Sequence, residues 1–356
     1  MIPVWSNFIL EKEVQYFQKA ISDKNIMEGP VLLEFENKLK DILQVKHVIG
    51  TSSGSAALAL SLMAIGVKPG DEVIVPDLTF IATANAPHML GAKVIVSPIQ
   101  SDRPLLDLEQ VDNLITGKTK AIIPVDLNGR ISCSRELREK YSSRGIYIID
   151  DACQAFTSGD INEFAGTQAD VGCFSFGITK TLTTVKGGLV VTDNDDLYER
   201  MKLIKTQGMV SVFEGDSYIY PGFNFKLPDV LAAVGLGQLE RLNEKKEHMK
   251  KIDDMYREQL SQVDGITFYD KMEGEFLAMT DILCENRDKI RNLLKENGII
   301  SRPQGIPLHN ATFLQAVGNY DNSDNLQKKM LYLPSGPDQS FENVKQVIKV
   351  IKENYK

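Results

Sequence analysis

Lys180 stands in the middle of CFSFGITKTLTTVKGGLVV (173–191), a stretch that otherwise reads as buried β-structure. Phe174, Phe176 and Ile178 precede it, and Leu182 and a Gly187-Gly188 strand follow. A lysine that snorkels to solvent is the ordinary alternative. Flanks this apolar instead desolvate the ammonium, lower its pKa and free the amine to form a Schiff base. Ser175, just upstream, can donate to a phosphate. Two further loops carry chemistry. In TSSGSAAL (51–58), small hydroxylated residues around Gly54 open a helix, where backbone N–H groups and the helix dipole attract an anion. It is neither a GxGxxG nor a Walker A sequence, and an ordinary N-cap looks the same. In IIDDACQAF (148–156), two carboxylates close an apolar strand. Either can be a helix cap, but a buried carboxylate at a strand's end can also hold a proton on a ligand's ring nitrogen. An anion turn, a buried acid and a desolvated lysine are together what pyridoxal phosphate (PLP) requires for its phosphate, ring nitrogen and aldehyde.

The elements that must position these groups follow from the pattern. ILEKEVQYFQKAIS and PVLLEFENKLKDIL have helical apolar spacing and are separated at Gly29-Pro30. HVIG, DEVIVP, AKVIVSPI, KAIIPVDL and GIYIIDD are apolar runs without in/out alternation, as in a parallel sheet covered by helices on both faces. VGCFSF and GGLVVT follow at hairpin-like spacing, which makes about seven strands up to residue 192. A long charged helix over 229–260 then leads into a smaller region where short strands (ITFY, EFLAMTDIL) alternate with helices. The expectation is an α/β large domain (1–235, N-terminal helices included) with a mostly parallel seven-stranded sheet, and a small C-terminal α+β domain (236–356). Ligands of such sheets bind at the carboxyl ends of the strands, where the three loops lie.

Hydrophobic residues at 43% and charged residues at 25% describe a chain with a sizeable core, and the net charge of -8 argues against nucleic acid or anionic membrane as partners. Cys133, Cys153, Cys173 and Cys284 lack zinc-ligand spacing, so no metal is expected, and their sparse use suits a reducing compartment. MIPVWSNFILEKEV lacks the basic and apolar regions of a secretory leader. The longest apolar run, 56–67, falls short of the ~18 residues that span a bilayer. A cytoplasmic protein is expected.

The chain closely resembles, almost end to end, the DegT/DnrJ/EryC1/StrS family of fold type I, PLP-dependent sugar aminotransferases. IPVWSN, MEGPVLLEFE, GTSSGSAALALSLMAIGVKPGDEVIVPDLTFIATANA, DDACQAF, GCFSFGITKTL, PGFNFKLPDVLAAVGLGQLERL, IPLH and LYLPSGP occur in the family's order. The resemblance implies a role for each matching position. Gly54, Ser55 and Ala56 match the phosphate turn, and Phe80 the aromatic that stacks on the pyridine ring. Asp151 and Gln154 match the acid on the ring nitrogen and the amide near the phenolic oxygen. Ser175 matches a phosphate ligand and Lys180 the Schiff-base lysine and proton carrier. Asn224 matches the asparagine that reaches the phosphate of the neighbouring subunit, implying a homodimer with shared active sites. His309, Arg302 and Lys186 are candidate substrate contacts.

Lysine at 180, where the family's dehydratases carry histidine, implies transamination. The expected reaction moves an amino group from glutamate to a keto-sugar, a nucleotide-linked 4-keto-6-deoxyhexose above all, for amino-sugar or surface-polysaccharide biosynthesis. Three departures from the family pattern stand out: Lys186 for a glutamate in T-x-E-G-G, Val125–Arg130 (VDLNGR) for V-H-L-Y-G-Q, and Lys226 for an arginine. Lys186 and Asp126 keep open a non-nucleotide keto-sugar or keto-cyclitol as substrate. A non-catalytic sugar-binding protein on the same fold would be expected to lack one of Asp151, Ser175 and Lys180, and none is missing. A nicotinamide dehydrogenase needs a GxGxxG turn, which is absent.

Overall fold

Two amphipathic helices, α1 (Glu11–Ser22) and α2 (Pro30–Leu43), open the chain in a computed structural model that describes residues 1–160, 163–209 and 217–355. Pro30 fits the first turn of α2, where its missing N–H costs nothing. The cap comes from far away. Asp229, 200 residues on, accepts from the N–H groups of Gly29, Val31 and Leu32 at 2.9, 3.2 and 2.9 Å.

An alternating run follows: β1 (His47–Thr51), α3 (Gly54–Ala64), β2 (Glu72–Pro76), α4 (Ala82–Met89), β3 (Lys93–Ser97), α5 (Leu108–Leu114), β4 (Thr119–Ile122), α6 (Arg135–Ser142) and β5 (Tyr147–Asp151). β6 (Val171–Ser175), β7 (Gly188–Thr192) and α7 (Asp195–Lys205) complete it. The seven strands form one sheet in the order β1-β7-β6-β5-β4-β2-β3. β7 is antiparallel to both neighbours, and the other pairs are parallel. The close spacing of VGCFSF and GGLVVT is an antiparallel pair with Ser175 opposite Gly188.

Helices cover both faces, as unalternating apolar strands require. Leu58, Leu62 and Met201 pack one face against Val75 and Val190. Phe35, Leu39 and Leu236 pack the other against Phe174 and Leu189. Strand alternation sorts β6: Phe174 and Phe176 join Phe35 and Phe156 in edge-to-face contacts at 5.5–5.9 Å, while Cys173 turns to the α3 side. Burying each of these phenylalanines contributes about 1.5–3 kcal/mol.

The helix expected over 229–260 is two, α8 (Asp229–Glu240) and α9 (Leu242–Leu260), because Arg241 leaves helical geometry at φ -104°. Its guanidinium reaches Asp338 at 2.7 Å. The boundary expected between 235 and 236 falls inside α8. A second sheet, in the order β10-β11-β9-β8, is wholly antiparallel. It comprises β8 (Ile266–Thr267), β9 (Asp281–Cys284), β10 (Arg302–Pro303) and β11 (Met330–Tyr332), interleaved with α10 (Arg287–Glu296), α11 (Asp321–Lys329) and α12 (Phe341–Asn354). EFLAMTDIL is strand only from Asp281, because the N–H groups of Ala278 and Met279 bond instead to the backbone and side chain of Asn128. No helix among the described residues is long and apolar enough to cross a membrane.

Candidate active site

One edge of the seven-stranded sheet collects the carboxyl ends of β1 to β6 and the start of β7, which brings the three chemical loops together. The turn after β1 is packed so closely that only glycine fits at 54. A Cβ there would lie 2.8 Å from Cys153 Sγ and 2.9 Å from Ser175 Cβ. Gly188 allows the same intimacy from β7, since its Cβ would strike the backbone of Ser53 and Gly54. Ser53 caps α3, its hydroxyl accepting from Ala56 N–H at 3.1 Å. The amide of Ala56 is therefore used within the helix, and the first-turn donors left for an anion are those of Gly54 and Ser55. Ser175 is half-buried against this turn, so its hydroxyl and the Gly54 and Ser55 amides stand side by side as donors suited to an anion.

Lys180 follows β6 in a loop tied down at its backbone. Asn7 Nδ2 donates to Lys180 O at 2.6 Å, and Trp5 Nε1 donates to Ile178 O at 3.2 Å. Asn7 Oδ1 accepts in turn from Lys245 Nζ at 3.0 Å. Lys245 also donates to Gln238 Oε1, and Gln238 Nε2 donates to Glu13 Oε1 at 2.8 Å. A buried polar chain thus runs from α1 to the loop. Sequence reasoning missed Trp5, Asn7 and Lys245: IPVWSN carried only a family likeness, and a lysine in a charged helix looks solvated. Burial lowers the Lys180 amine below the ordinary lysine range, Arg302 works in the same direction, and Asp151 opposes it. Burial also brings Lys245 down to about 8.

Asp151 ends β5 with both oxygens engaged. Thr83 Oγ1 donates to Oδ2 at 2.7 Å, and Cys153 N–H donates to Oδ1 at 3.3 Å. Thr83 belongs to α4, one turn beyond Phe80, whose side chain is 66% exposed beside the site. Gln154 Oε1 accepts from Asn128 N–H at 3.2 Å. Asn128 holds the left-handed region at φ 57°, which asparagine tolerates. Its amide donates to Met279 O and Asp281 Oδ2, both at 2.8 Å.

The departures from the family pattern acquire locations. Arg130 is 1% exposed and forms a bidentate pair with Asp281 at 2.7 and 2.6 Å, over the ring of Tyr269. Asp126 is fully buried, its Oδ1 accepting from Ser132 N–H and Oγ at 2.6 and 2.8 Å. It presents no charge to a substrate, so the expectation that Asp126 bears on the choice of sugar is corrected. Lys186 is exposed beside Val185, and nothing in the structure explains it. Asn224 is exposed, and the segment it opens runs along the turn after β1, with Ser52 N–H donating to Phe225 O at 2.8 Å and Lys226 bridging Thr51.

Arg302 is exposed, lies flat over Tyr332 at 5.1 Å, and is close enough to act on Lys180. His309 is locked instead. Its Nδ1 lies 2.8 Å from Asp77 Oδ2, its N–H donates to Asp77 Oδ1 at 2.7 Å, and its ring stacks on Tyr320. Asp77 directly follows β2 and has no exposure, so this pair fastens the loop before α11 to the large sheet.

A parallel-centred sheet with a lysine, an acid and an anion cradle at its carboxyl edge defines a fold type I, PLP-dependent enzyme. The profile of the DegT/DnrJ/EryC1/StrS aminotransferase family matches residues 7–352, and the chain belongs to that family. It is 32% identical to the GDP-perosamine synthase of Escherichia coli O157:H7, across 99% of this chain and 98% of that one. Among solved structures, a DegT DnrJ EryC1 StrS aminotransferase from Brucella abortus superposes with a TM-score of 0.89 at 30% identity, covering 96% and 95% of the two chains. NtdA from Bacillus subtilis, with bound cofactor PMP, gives 0.90 at 26% identity, covering 98% of this chain and 82% of that one.

Proposed function

We propose that the protein transfers the amino group of glutamate to the keto group of a nucleoside-diphosphate-linked 4-keto-6-deoxyhexose, within amino-sugar biosynthesis. The observation that carries this is the setting of Lys180: an amine with a lowered pKa, on a backbone pinned by Asn7 and Trp5, beside Asp151 and the Gly54 turn. The likeness to a GDP-perosamine synthase favours a nucleotide-linked sugar.

The residues fit PLP, since the Gly54 cradle has an anion's donors and no room for a side chain. When bound, PLP supplies an electron sink for the carbanion formed beside the transferred nitrogen. Gly54 and Ser55 N–H and the Ser175 hydroxyl hold its phosphate, and Ala56 closes the same turn. Asp151, fixed by Thr83 and Cys153, keeps the ring nitrogen protonated because a buried carboxylate favours a cation beside it. Gln154, oriented by Asn128, offers its amide to the ring oxygen, and Phe80 covers one ring face. Lys180 is the covalent attachment point and afterwards moves a proton between the substrate carbon and the cofactor carbon that bears the transferred nitrogen; burial lowers its pKa and so favours the free amine that this role needs. Arg302 receives a carboxylate or phosphate of the substrates. Asn224 serves the phosphate of a second copy, which makes the working form a homodimer.

Holoenzyme should show a visible absorption band that glutamate bleaches, and Lys180→Ala should lose that response. A well-formed band indifferent to glutamate overturns the donor assignment. The acceptor is tested by 2-oxoglutarate release with GDP-, dTDP- and UDP-linked 4-keto-6-deoxyhexoses beside a free keto-sugar and a keto-cyclitol. Turnover confined to the last two overturns the nucleotide-linked reading.

A further inference from the structure

Directly behind Asp151 the sheet buries two more carboxyl groups, Asp126 and Asp150, both without exposure. Backbone bonds tie the two segments together, Asp126 N–H donating to Asp151 O at 3.1 Å and Asp151 N–H to Pro124 O at 2.9 Å, with Asp150 next to Asp151 on β5. One oxygen of each rear carboxyl is satisfied, Asp126 Oδ1 by Ser132 and Asp150 Oδ2 by Gly166 N–H at 2.9 Å. The others, Asp126 Oδ2 and Asp150 Oδ1, are buried with no donor. Val125 pairs with Asp151, which sets Asp126 and Asp150 diagonally across the two adjoining segments, each side chain acting on the other. Two acceptor oxygens forced together in a dry interior repel unless a proton lies between them.

We propose that Asp126 and Asp150 share one proton, and that its presence or loss sets the charge standing behind Asp151, making both of them positioning residues for that carboxylate. With the proton held, the three carboxyls carry two negative charges; without it they carry three. The extra charge favours a cation in front of Asp151 and so raises the proton affinity of any basic nitrogen held there. That consequence rests on the PLP reading, whereas the shared proton does not.

Among the described residues neither rear carboxyl has an ion-pair partner. β5 contributes Asp151, the segment after β4 contributes Ser132 and the Cys133 thiol, and the approach to β6 contributes Gly166 N–H and Asp170. Arg138 of α6, which is near enough to act on Cys133, is paired with Asp170 at 3.1 Å. Among the described residues no group of three metal-ligating side chains converges. Burial raises both rear carboxyls, Asp126 to about 7 and Asp150 well above the carboxylate range. As the folded pKa lies above the unfolded one, the pair contributes stability that is full at low pH and disappears as pH rises through about 7. The two sites titrate as a unit.

The test uses cofactor-free protein first. Infrared difference spectra of the wild type should show a protonated-carboxyl carbonyl band at pH 6 that weakens as pH rises through about 7, and D126N should lack it. Urea unfolding should show wild-type stability falling relative to D126N between about pH 4 and 7. In holoenzyme, the pH midpoint of the visible band should move by about one unit in D126N, because the variant cannot gain the third charge. Absence of the band in wild type at pH 6 overturns the shared proton, and that measurement does not depend on any variant folding. A D126N protein destabilised equally at all pH, with an unmoved visible-band midpoint, reduces the pair to a structural one and overturns the positioning role. If the infrared result holds while PLP fails to bind, it is the PLP reading that falls.

Discussion

Replacing Asp281 by alanine is the sharpest stability test. Asp281 and Arg130 are each 1% exposed and bound through two short contacts, and Asn128 adds a third at 2.8 Å. Alanine would leave the guanidinium buried and uncompensated, which costs about 3–5 kcal/mol. The Asn128 N–H that loses its acceptor adds about 1 kcal/mol. A loss near 4–6 kcal/mol is a large fraction of the ~5–15 kcal/mol that holds a typical fold. The assay is urea unfolding of the cofactor-free protein, followed by circular dichroism, with Asp281→Asn as a milder companion. The paired replacement R130M/D281L removes both charges at similar volume and should recover most of the loss, because buried ion pairs can be exchanged for apolar contacts. An Asp281→Ala protein within 1 kcal/mol of wild type refutes the reasoning. So does a double variant no better than the single one.

Gly54→Ala places a methyl 2.8 Å from Cys153 Sγ and 2.9 Å from Ser175 Cβ, so PLP affinity, titrated by absorbance, should fall at least ~10-fold; unchanged affinity contradicts the cradle. Val185, a β-branched residue at φ 69°, stores strain that glycine would release. Val185→Gly should raise stability by about 1 kcal/mol after the entropic penalty of glycine, read as a higher urea midpoint. Lys245 has a folded pKa of about 8 below an ordinary value of 10.5, so wild-type stability should rise between those limits relative to Lys245→Met. A flat difference across that window would show that the ammonium is solvated.

Local pattern made the sheet legible. Apolar runs without alternation marked the strands, and glycine and serine marked the turn where Gly54 meets Ser175. What stayed hidden was non-local. Nothing in HVIGT says that it pairs with Gly188–Thr192. Asp126 looked like a substrate-facing charge because nothing in VDLNGR says that the fold buries it against Ser132. His309 looked free for a ligand because Asp77 comes from β2, and the long helix looked continuous because the pull of Asp338 on Arg241 comes from near the other end of the chain. Spacing reveals periodicity; it does not reveal which buried groups meet.

The bond from Asn7 to Lys180 O joins residues 173 apart, and Asp229 caps a helix 200 residues earlier. Chains emerge from the ribosome at about 5–20 residues per second, so the first helices and β1 wait roughly 10–40 seconds for their partners. Throughout that interval α2 has no cap and β1 is an unpaired apolar strand, a template for association with other chains. The ends of this protein therefore mature last and together. Chaperone occupancy on nascent chains should persist until β7 and α8 have emerged, and truncations that stop before Asp229 should accumulate as aggregates rather than as a smaller folded unit.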